Sequence, residues 1–391
     1  MKKIILKSKR DASIRRRHPW VFSGAIKTQI GAPEDGDTVA VYNNKEQFLA
    51  AGHFQKGSIM VRLLTFEEEL IDGAFWQKRF REAVVYREAV GILSLSETNC
   101  FRLIHAEGDG LPGLIIDVYG STAVVQCHSI GMYRALEEIA TALREVLGDR
   151  IKTIYQKSKD TLPGGFAAGL EDGFLLGESG NDTVKEYGHL FKIDWVAGQK
   201  TGFFLDQRDN RKLLAQYAKG KKVLNTFCYT GGFSIYALQA GARRVDSVDA
   251  SATAMSLTEE NVRLNGFGEQ HRSFTDDVMS FFKLADTDYE LMIVDPPAFA
   301  KSMKKRHNAI QGYKRLNAKA LSLIKSGGVL FTFSCSQVVG RQLFQDTIVA
   351  AALEAGRQVR IMHHLGQPAD HPVRLFHPEG SYLKGLVLYV E

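Results

Sequence analysis

From about Lys222 to the carboxyl end the chain alternates strand-forming and helix-forming runs, and this alternation restricts the fold more than any other feature. Short β-type runs are predicted at Val223–Phe227, Arg244–Val248, His271–Thr275, Leu291–Val294 and Val329–Phe333. Helical patterns separate them at about Phe233–Ala240, Ala252–Asn265, Val278–Leu284, Ile310–Ile324 and Arg341–Ala355, and strands near Arg360–His364 and Gly385–Val390 close the series. Parallel neighbours require a crossover of a dozen or so residues, usually a helix. The pattern therefore specifies a mostly parallel, doubly wound α/β sheet with helices on both faces. Ligands of such sheets bind outside the carboxyl ends of the strands, so the residues that follow each strand are the first candidates for function.

The amino-terminal part reads differently. Runs at Lys3–Leu6, Trp20–Ser23, Thr38–Tyr42, Phe48–His53 and Ile59–Leu64 are separated by turn signals such as Gly31-Ala32-Pro33, Asp35-Gly36-Asp37 and Lys56-Gly57-Ser58, which predicts a small β-barrel. A connecting helix is predicted from about Asp72 to Val90. Phe101–Lys157 follows as an α+β pattern around the turn Gly108-Asp109-Gly110-Leu111-Pro112-Gly113. The stretch Leu162–Gly180 breaks periodicity, and Tyr187-Gly188 suggests a hairpin. The expected partition is a barrel at 1–70, a central α+β domain with its helix at 71–182, and the doubly wound, Rossmann-like domain at 183–391.

A chain of 391 residues with 45% hydrophobic content can bury several ordinary cores. No run of about 18 apolar residues offers a membrane span, and no apolar run follows the basic amino terminus; the expectation is a soluble cytoplasmic protein with no membrane partner. The four cysteines, Cys100, Cys127, Cys228 and Cys335, form no C-x-x-C pair, so neither a metal set nor a disulfide framework is encoded. The net charge of +6 is modest, but its distribution is not. Up to Ile30, the bases Lys2, Lys3, Lys7, Lys9, Arg10, Arg15, Arg16, Arg17 and Lys27 face the single acid Asp11. Such a cluster suits a polyphosphate partner; a solvated basic surface is the plainer alternative. Arg15, Arg16 and Arg17 precede Trp20 and Phe22, a pairing of charge with stacking surface that RNA-binding modules use. Both rings read equally well as barrel core.

After the first strand of the alternating region comes Asn225-Thr226-Phe227-Cys228-Tyr229-Thr230-Gly231-Gly232-Phe233-Ser234. Its paired glycines let backbone approach a ligand, but they are not the spaced glycines of a dinucleotide fingerprint. The second strand ends in Asp249, where a carboxylate can accept ribose hydroxyls. The third ends in Asp276-Asp277-Val278, where an acid can accept an adenine amine. Together with an Asp-Pro-Pro turn these features fit S-adenosylmethionine. The expected cofactor residues are Phe227, Tyr229, Thr230, Gly231, Gly232, Asp249, Ala250 and Asp277, with Gln207 from Lys200–Arg208. Asp249 and Asp277 read alternatively as helix caps, and the Gln207 stretch as the plain start of a helix capped by Asp206.

The chemistry is expected from two further strand ends. Asp295-Pro296-Pro297-Ala298-Phe299 turns abruptly, since the prolines cannot continue a ladder, and presents Asp295 at the edge, where beside a methyl donor such a motif holds a planar base or amide. Thr332-Phe333-Ser334-Cys335-Ser336 places a thiol at the end of another strand. Carbon 5 of a pyrimidine is a weak nucleophile until a thiolate adds at carbon 6, and Cys335 is the cysteine placed to do this. A buried, inert cysteine is the alternative, and Cys228 is read as packing. Phe299 stacks on the base or belongs to the core. The basic loop with Lys301, Lys304, Lys305 and Arg306 is expected to clamp phosphates beside an extruded nucleotide, or to be a plain surface loop.

Taken together, these residues resemble the bacterial large-subunit ribosomal RNA cytosine-C5 methyltransferase I family of class I S-adenosylmethionine-dependent enzymes. Arg17-His18-Pro19-Trp20-Val21-Phe22-Ser23-Gly24 looks like the opening of that family's PUA domain, and Gly108–Gly113 like its central domain. Leu205-Asp206-Gln207-Arg208-Asp209, Tyr229-Thr230-Gly231-Gly232-Phe233, Asp295-Pro296-Pro297 and Phe333-Ser334-Cys335-Ser336 look like its catalytic half; Asp370-His371-Pro372 and Pro378-Glu379-Gly380 also match. The resemblance implies ribosomal RNA as partner, Cys335 as nucleophile and Asp295 as the group that orients cytosine. A base-nitrogen (guanine) RNA methyltransferase and a non-catalytic RNA-binding assembly factor are the alternatives. A homodimer is compatible with the sequence and not required by it.

Overall fold

The computed structural model describes residues 2–178, 182–300 and 302–391. They form two compact units: Met1–Tyr187 with Ile193–Leu205 and Ala369–Gly380, and Gly188–Lys192 with Asp206–Pro368 and Ser381–Glu391.

In the first unit a six-stranded sheet runs, in spatial order, Trp20–Phe22, Ile59–Thr65, Phe48–Phe54, Thr38–Tyr42, Lys3–Leu6 and Ile26–Ile30. Lys3–Leu6 and Thr38–Tyr42 are parallel, and the other neighbours antiparallel. Ile4, Leu6, Val21, Val41, Phe54 and Val61 fill its core. Strand Ile26–Ile30 has no counterpart among the strands expected from sequence; four of its five residues are exposed, so its hydrophobic alternation is faint.

The connecting helix spans Gly73–Ala89, and the Asp72 carboxylate accepts the Phe75 N–H at 3.1 Å, a cap worth about 1 kcal/mol. Phe75, Trp76, Phe80 and Ala83 bury its inner face in the core of a five-stranded sheet. That sheet is ordered Gly173–Leu176, Thr153–Gln156, Thr122–Cys127, Leu114–Tyr119, Cys100–His105. The helix Leu136–Leu147 makes the crossover between the parallel pair Thr122–Cys127 and Thr153–Gln156. Strand Gly173–Leu176 falls in the stretch read as aperiodic, because its residues are half-buried or exposed.

Asp370-His371-Pro372 and Pro378-Glu379-Gly380 belong to this first unit. The buried Arg87 guanidinium pairs with Asp109 and donates to the Asp370 carbonyl at 2.9 Å, while the Asp370 carboxylate accepts the Arg102 N–H at 3.0 Å. His18, His377 and Glu379 also gather there. The Trp20 N–H donates to His18 Nδ1 at 3.2 Å, and His18 Nε2 lies 3.6 Å from Glu379 Oε1.

The second unit carries strand His189–Lys192 and a seven-stranded sheet. Its strands are β1 (Lys222–Thr226), β2 (Arg244–Asp249), β3 (His271–Thr275), β4 (Tyr289–Val294), β5 (Ile324–Ser334), β6 (Val359–Leu365) and β7 (Lys384–Val390). Their order is β3-β2-β1-β4-β5-β7-β6, parallel except for β7. Helices α1 (Arg208–Ala218), α2 (Gly232–Gln239), α3 (Ala252–Leu264), α4 (Val278–Leu284), α5 (Arg306–Leu323) and α6 (Arg341–Glu354) make the connections. All of β1 and all but Glu290 of β4 are buried, as in strands covered on both faces.

Strand order reverses between β1 and β4, the position where such sheets open a crevice. Thr226 is level with Val248 and Val294, and Val294 with Thr332. Phe227, Asp249, Asp295 and Phe333 therefore stand in one row at the carboxyl edge, with Cys335 two residues further on. Among the described residues no helix is long and apolar enough to cross a membrane.

Candidate active site

The turn between β1 and α2 is strained. Phe227 and Tyr229 sit at φ 55° and 48°, and Gly231 at 78°; left-handed non-glycine residues cost of order 1 kcal/mol or more each and persist where surrounding structure holds them. Gly231 is required there, since a Cβ would also lie 2.8 Å from Thr258 Cγ2. Asp249 Oδ2 accepts the Tyr229 N–H at 3.0 Å. From α3, Thr258 donates to the Tyr229 carbonyl at 2.7 Å and Asn261 to the Thr230 carbonyl at 3.0 Å. Below the turn runs a buried polar chain, Asn225 to Ser234 to Ser247 to His271, with links of 2.8, 2.7 and 2.7 Å. Burial pushes His271 down to about 4, so the chain ends in a neutral imidazole.

Asp249 Oδ1 accepts the Ser251 N–H at 3.0 Å. A carboxylate offers about four lone-pair sites, and these two backbone bonds leave acceptor capacity for ribose hydroxyls. Asp277 caps α4, accepting the Ser280 N–H at 2.9 Å, and is exposed; its second oxygen is not used by the cap. Ala250 is exposed and Phe227 half-buried at the same edge. Asp249 at the end of β2, Asp277 one strand further out and a turn of close-set backbone form a donor and acceptor set that fits S-adenosylmethionine.

Asp295 is half-buried where β4 ends. Gln207 Nε2 donates to its Oδ2 at 2.8 Å, and Asn210 Nδ2 donates to Gln207 Oε1 at 2.6 Å and to the Gly366 carbonyl at 3.2 Å. This fixes which way the Gln207 amide faces. Gln207, expected in the cofactor pocket, also holds Asp295 with its amide. Asp206, the alternative cap of that helix, accepts the Tyr382 hydroxyl at 2.7 Å, and Gln207, which immediately precedes α1, makes no side-chain cap.

Cys335 is half-buried just past β5. Its loop is pinned on two sides: Tyr313 OH and Ser336 Oγ are 3.0 Å apart, and Lys384 Nζ donates to the carbonyls of Ser336 and Val339 at 2.6 and 2.7 Å. Phe299 lies against Tyr313, with ring centroids 4.6 Å apart, and packs on the core. Cys228 is buried beside Met255 and Thr258, and burial drives its thiol well above the usual range.

The basic groups expected to meet RNA are on the surface. Arg15, Arg16 and Arg17 are exposed; Arg15 pairs with Asp11 at 2.7 Å, and Arg17 at φ 62° stands over Phe66. Phe22 is 46% exposed, and Trp20 is half-buried with its Nε1 donating to Glu107 at 2.9 Å. In the second unit Lys304 and Lys305 form one exposed 3-10 turn and the exposed Arg306 opens α5. Lys301 lies outside the described residues. A cavity of about 600 Å³ in the first unit, lined by Val84, Phe101, Val118 and Ile151 among others, contains none of these residues.

Sequence reasoning misses Asn210, Tyr382 and Lys384. Asn210 and Tyr382 carry no local signal. Lys384 does: it is a lone cation in the apolar run Leu383–Val390.

Residues 172–375 match a family model described as S-adenosylmethionine-dependent methyltransferase, and residues 4–66 one described as a PUA-like domain. The chain is 40% identical over 396 residues to the ribosomal RNA large subunit methyltransferase I of Alteromonas mediterranea, covering 99% of this chain and 98% of that one. To the protein of the same name in Aeromonas hydrophila it is 39% identical, with 98% of each covered. Among solved structures, that of SMU.776 complexed with SAH superposes with a TM-score of 0.86 over the whole of both chains at 23% identity. Trm5b from Pyrococcus abyssi shares part of the fold, with a TM-score of 0.53, 18% identity, and 71% of this chain and 74% of that one covered.

Proposed function

We propose that this chain, which belongs to the ribosomal RNA large subunit methyltransferase I family and takes S-adenosylmethionine as cofactor, methylates carbon 5 of a cytosine in large-subunit ribosomal RNA. The observation that carries this reading is the pairing at one sheet edge of a carboxylate held by an amide, Asp295, with a thiol on a pinned loop, Cys335. A methyltransferase acting on a ring nitrogen needs no thiol, because the nitrogen lone pair is itself the nucleophile.

S-adenosylmethionine supplies an electrophilic methyl group on a sulfonium. Asp249 would take its ribose hydroxyls, with Asp277 and the turn Phe227–Gly232 around the rest of the nucleoside. Asp295 holds the cytosine by its amine edge and shares a proton with N3, which draws electron density from the ring. The Cys335 thiolate then forms the Sγ–C6 bond, and the displaced C5–C6 pair makes C5 nucleophilic. C5 would take the methyl group as the S–CH3 bond breaks, its electron pair staying with the departing neutral thioether. Another base or water takes the C5 proton, the C5–H pair re-forms the C5–C6 double bond, and Sγ leaves as thiolate. Ala298 follows Pro297, so no second thiol on that turn assists release.

Residues 1–70 serve in this reading as an RNA-binding module and 183–391 as the catalytic domain, joined by the α+β region 71–182, in a cytoplasmic enzyme. Bisulfite sequencing of ribosomal RNA from a deletion strain is expected to reveal the loss of one 5-methylcytosine, restored by the wild-type chain. An unchanged map rejects the assignment. Charge at the amino terminus makes a separate prediction. Replacing Arg15, Arg16 and Arg17 together by alanine should flatten the dependence of log affinity on log salt by roughly 2–3, at about 0.7–0.9 for each phosphate that is no longer neutralised. Binding of a ribosomal RNA fragment across a salt series checks this; an identical slope would remove these arginines from the interface.

A further inference from the structure

Lys384 opens β7 opposite Ser334 and is 4% exposed. Two of an ammonium's three N–H groups go to the carbonyls of Ser336 and Val339. Carbonyls solvate a cation but do not neutralise it, and a buried charge is costly without a counter-ion. Among the described residues no carboxylate pairs with Lys384. Arg341, another cation, and Cys335 bear on it electrostatically, and Cys335 immediately precedes Ser336, whose carbonyl Lys384 holds at 2.6 Å. Arg341 is occupied with the carbonyls of Leu365 and Leu383 at 2.9 and 3.4 Å. Tyr313, on the opposite flank of the loop, is buried, and burial raises its phenol, so it stays neutral. Among the described groups around this ammonium, the thiol of Cys335 can become its anion near neutral pH.

We propose that Lys384 is the resident counter-ion of the Cys335 thiolate, anchoring the nucleophile's loop through two carbonyls and favouring ionisation of the thiol near neutral pH. This rests on Cys335 being the nucleophile. Burial lowers Lys384, against the pull of the Cys335 charge, to about 8. The lysine therefore remains an ammonium through neutral pH and loses its effect as pH rises past that point. An unassisted thiol ionises only around 8.5, so the assistance falls where the enzyme would need it. Lys384 is thus a positioning residue acting through Cys335.

The test is the pH dependence of Cys335 alkylation by iodoacetamide in the full chain, with neither RNA nor cofactor added. Cys100, Cys127 and Cys228 are buried, and burial pushes Cys127 up to about 12 and Cys228 higher than usual, so Cys335 reacts first; a Cys335→Ala background and peptide mass verify the site. Wild type should reach half-maximal reactivity clearly below about 8.5. Lys384→Met should raise that point by about one unit, slowing alkylation at pH 7 about tenfold. Lys384→Gln keeps an N–H donor for the carbonyls without the charge, and should behave like Lys384→Met. Wild-type reactivity in Lys384→Gln would reduce Lys384 to a loop anchor and overturn the proposal. Should neither variant fold, the wild-type profile decides alone, and a half-point at or above about 8.5 overturns it. A methyl-transferring Cys335→Ala variant would instead remove the nucleophile reading, an outcome the alkylation profile does not share.

Discussion

Cys335→Ala is expected to lower methyl transfer to cytosine by roughly 10⁴-fold or more, the scale seen when a covalent nucleophile is removed from an enzyme that otherwise keeps its binding machinery. The fold should hardly notice. Cys335 is half-buried, and the loop that carries it is held by its neighbours, through the Ser336 and Tyr313 hydroxyls and through Lys384 on the Ser336 and Val339 carbonyls. Removing one sulfur should cost about 1 kcal/mol or less. S-adenosylmethionine binding should also persist, because Asp249 and the turn it braces lie on other strands. The decisive measurement is covalent capture. RNA with 5-fluorocytidine at the target cannot release the enzyme, since the fluorine on C5 does not leave as a proton does. Wild type should give an adduct stable to denaturation, and Cys335→Ala should give none. An adduct in the alanine variant, or transfer within tenfold of wild type, would mean that the thiol is structural and the acceptor atom is not carbon 5.

The doubly wound sheet was legible because buried parallel strands and amphipathic helices leave different periods in the chain, and the predicted strands of that region coincide with β1 to β7 to within a few residues, except where β5 begins at Ile324 rather than Val329. That extension runs through Lys325-Ser326-Gly327-Gly328, residues that carry no strand pattern. The row formed by Phe227, Asp249 and Asp295 could likewise be anticipated, since each follows a strand. What the sequence could not disclose is anything carried by side chains distant along the chain. Gln207 and Asp295 are 88 residues apart, and no local pattern announces that one supports the other. The left-handed backbone at Phe227 and Tyr229 is similarly silent, because those residue types normally avoid it; Asp249 and the α3 side chains Thr258 and Asn261 help hold it. Segment Ala369–Gly380 shows the same limit. Its polar and proline-rich sequence reads as loop, and its place in the first unit follows from Arg87 and Asp370.

Asp295→Asn should cost about 10²–10⁴-fold in the rate of a single turnover at saturating RNA, the range expected when a group that shares a proton with the reacting ring is lost. The reason lies in the hydrogen-bond polarity of the site. Gln207 Oε1 is committed to Asn210, so its Nε2 must donate to residue 295. An asparagine there satisfies Gln207 only by presenting its carbonyl inward, which turns an amide N–H₂ toward the substrate. A cytosine amine then meets a donor where it needs an acceptor, and no proton is available for N3. The substitution is nearly isosteric, so stability should change by about 1 kcal/mol or less, and S-adenosylmethionine affinity should be unaffected. Gln207→Leu should act more gently, slowing turnover by about tenfold: the carboxylate and its charge remain, but one hydrogen bond to a charged group, worth about 1.5–3 kcal/mol, no longer fixes its direction. The two defects should not add in the double variant where Gln207 acts through the Asp295 carboxylate it holds. A single-turnover rate for Asp295→Asn near that of wild type would show that the Asp-Pro-Pro turn shapes the backbone and leaves recognition of the base to other groups.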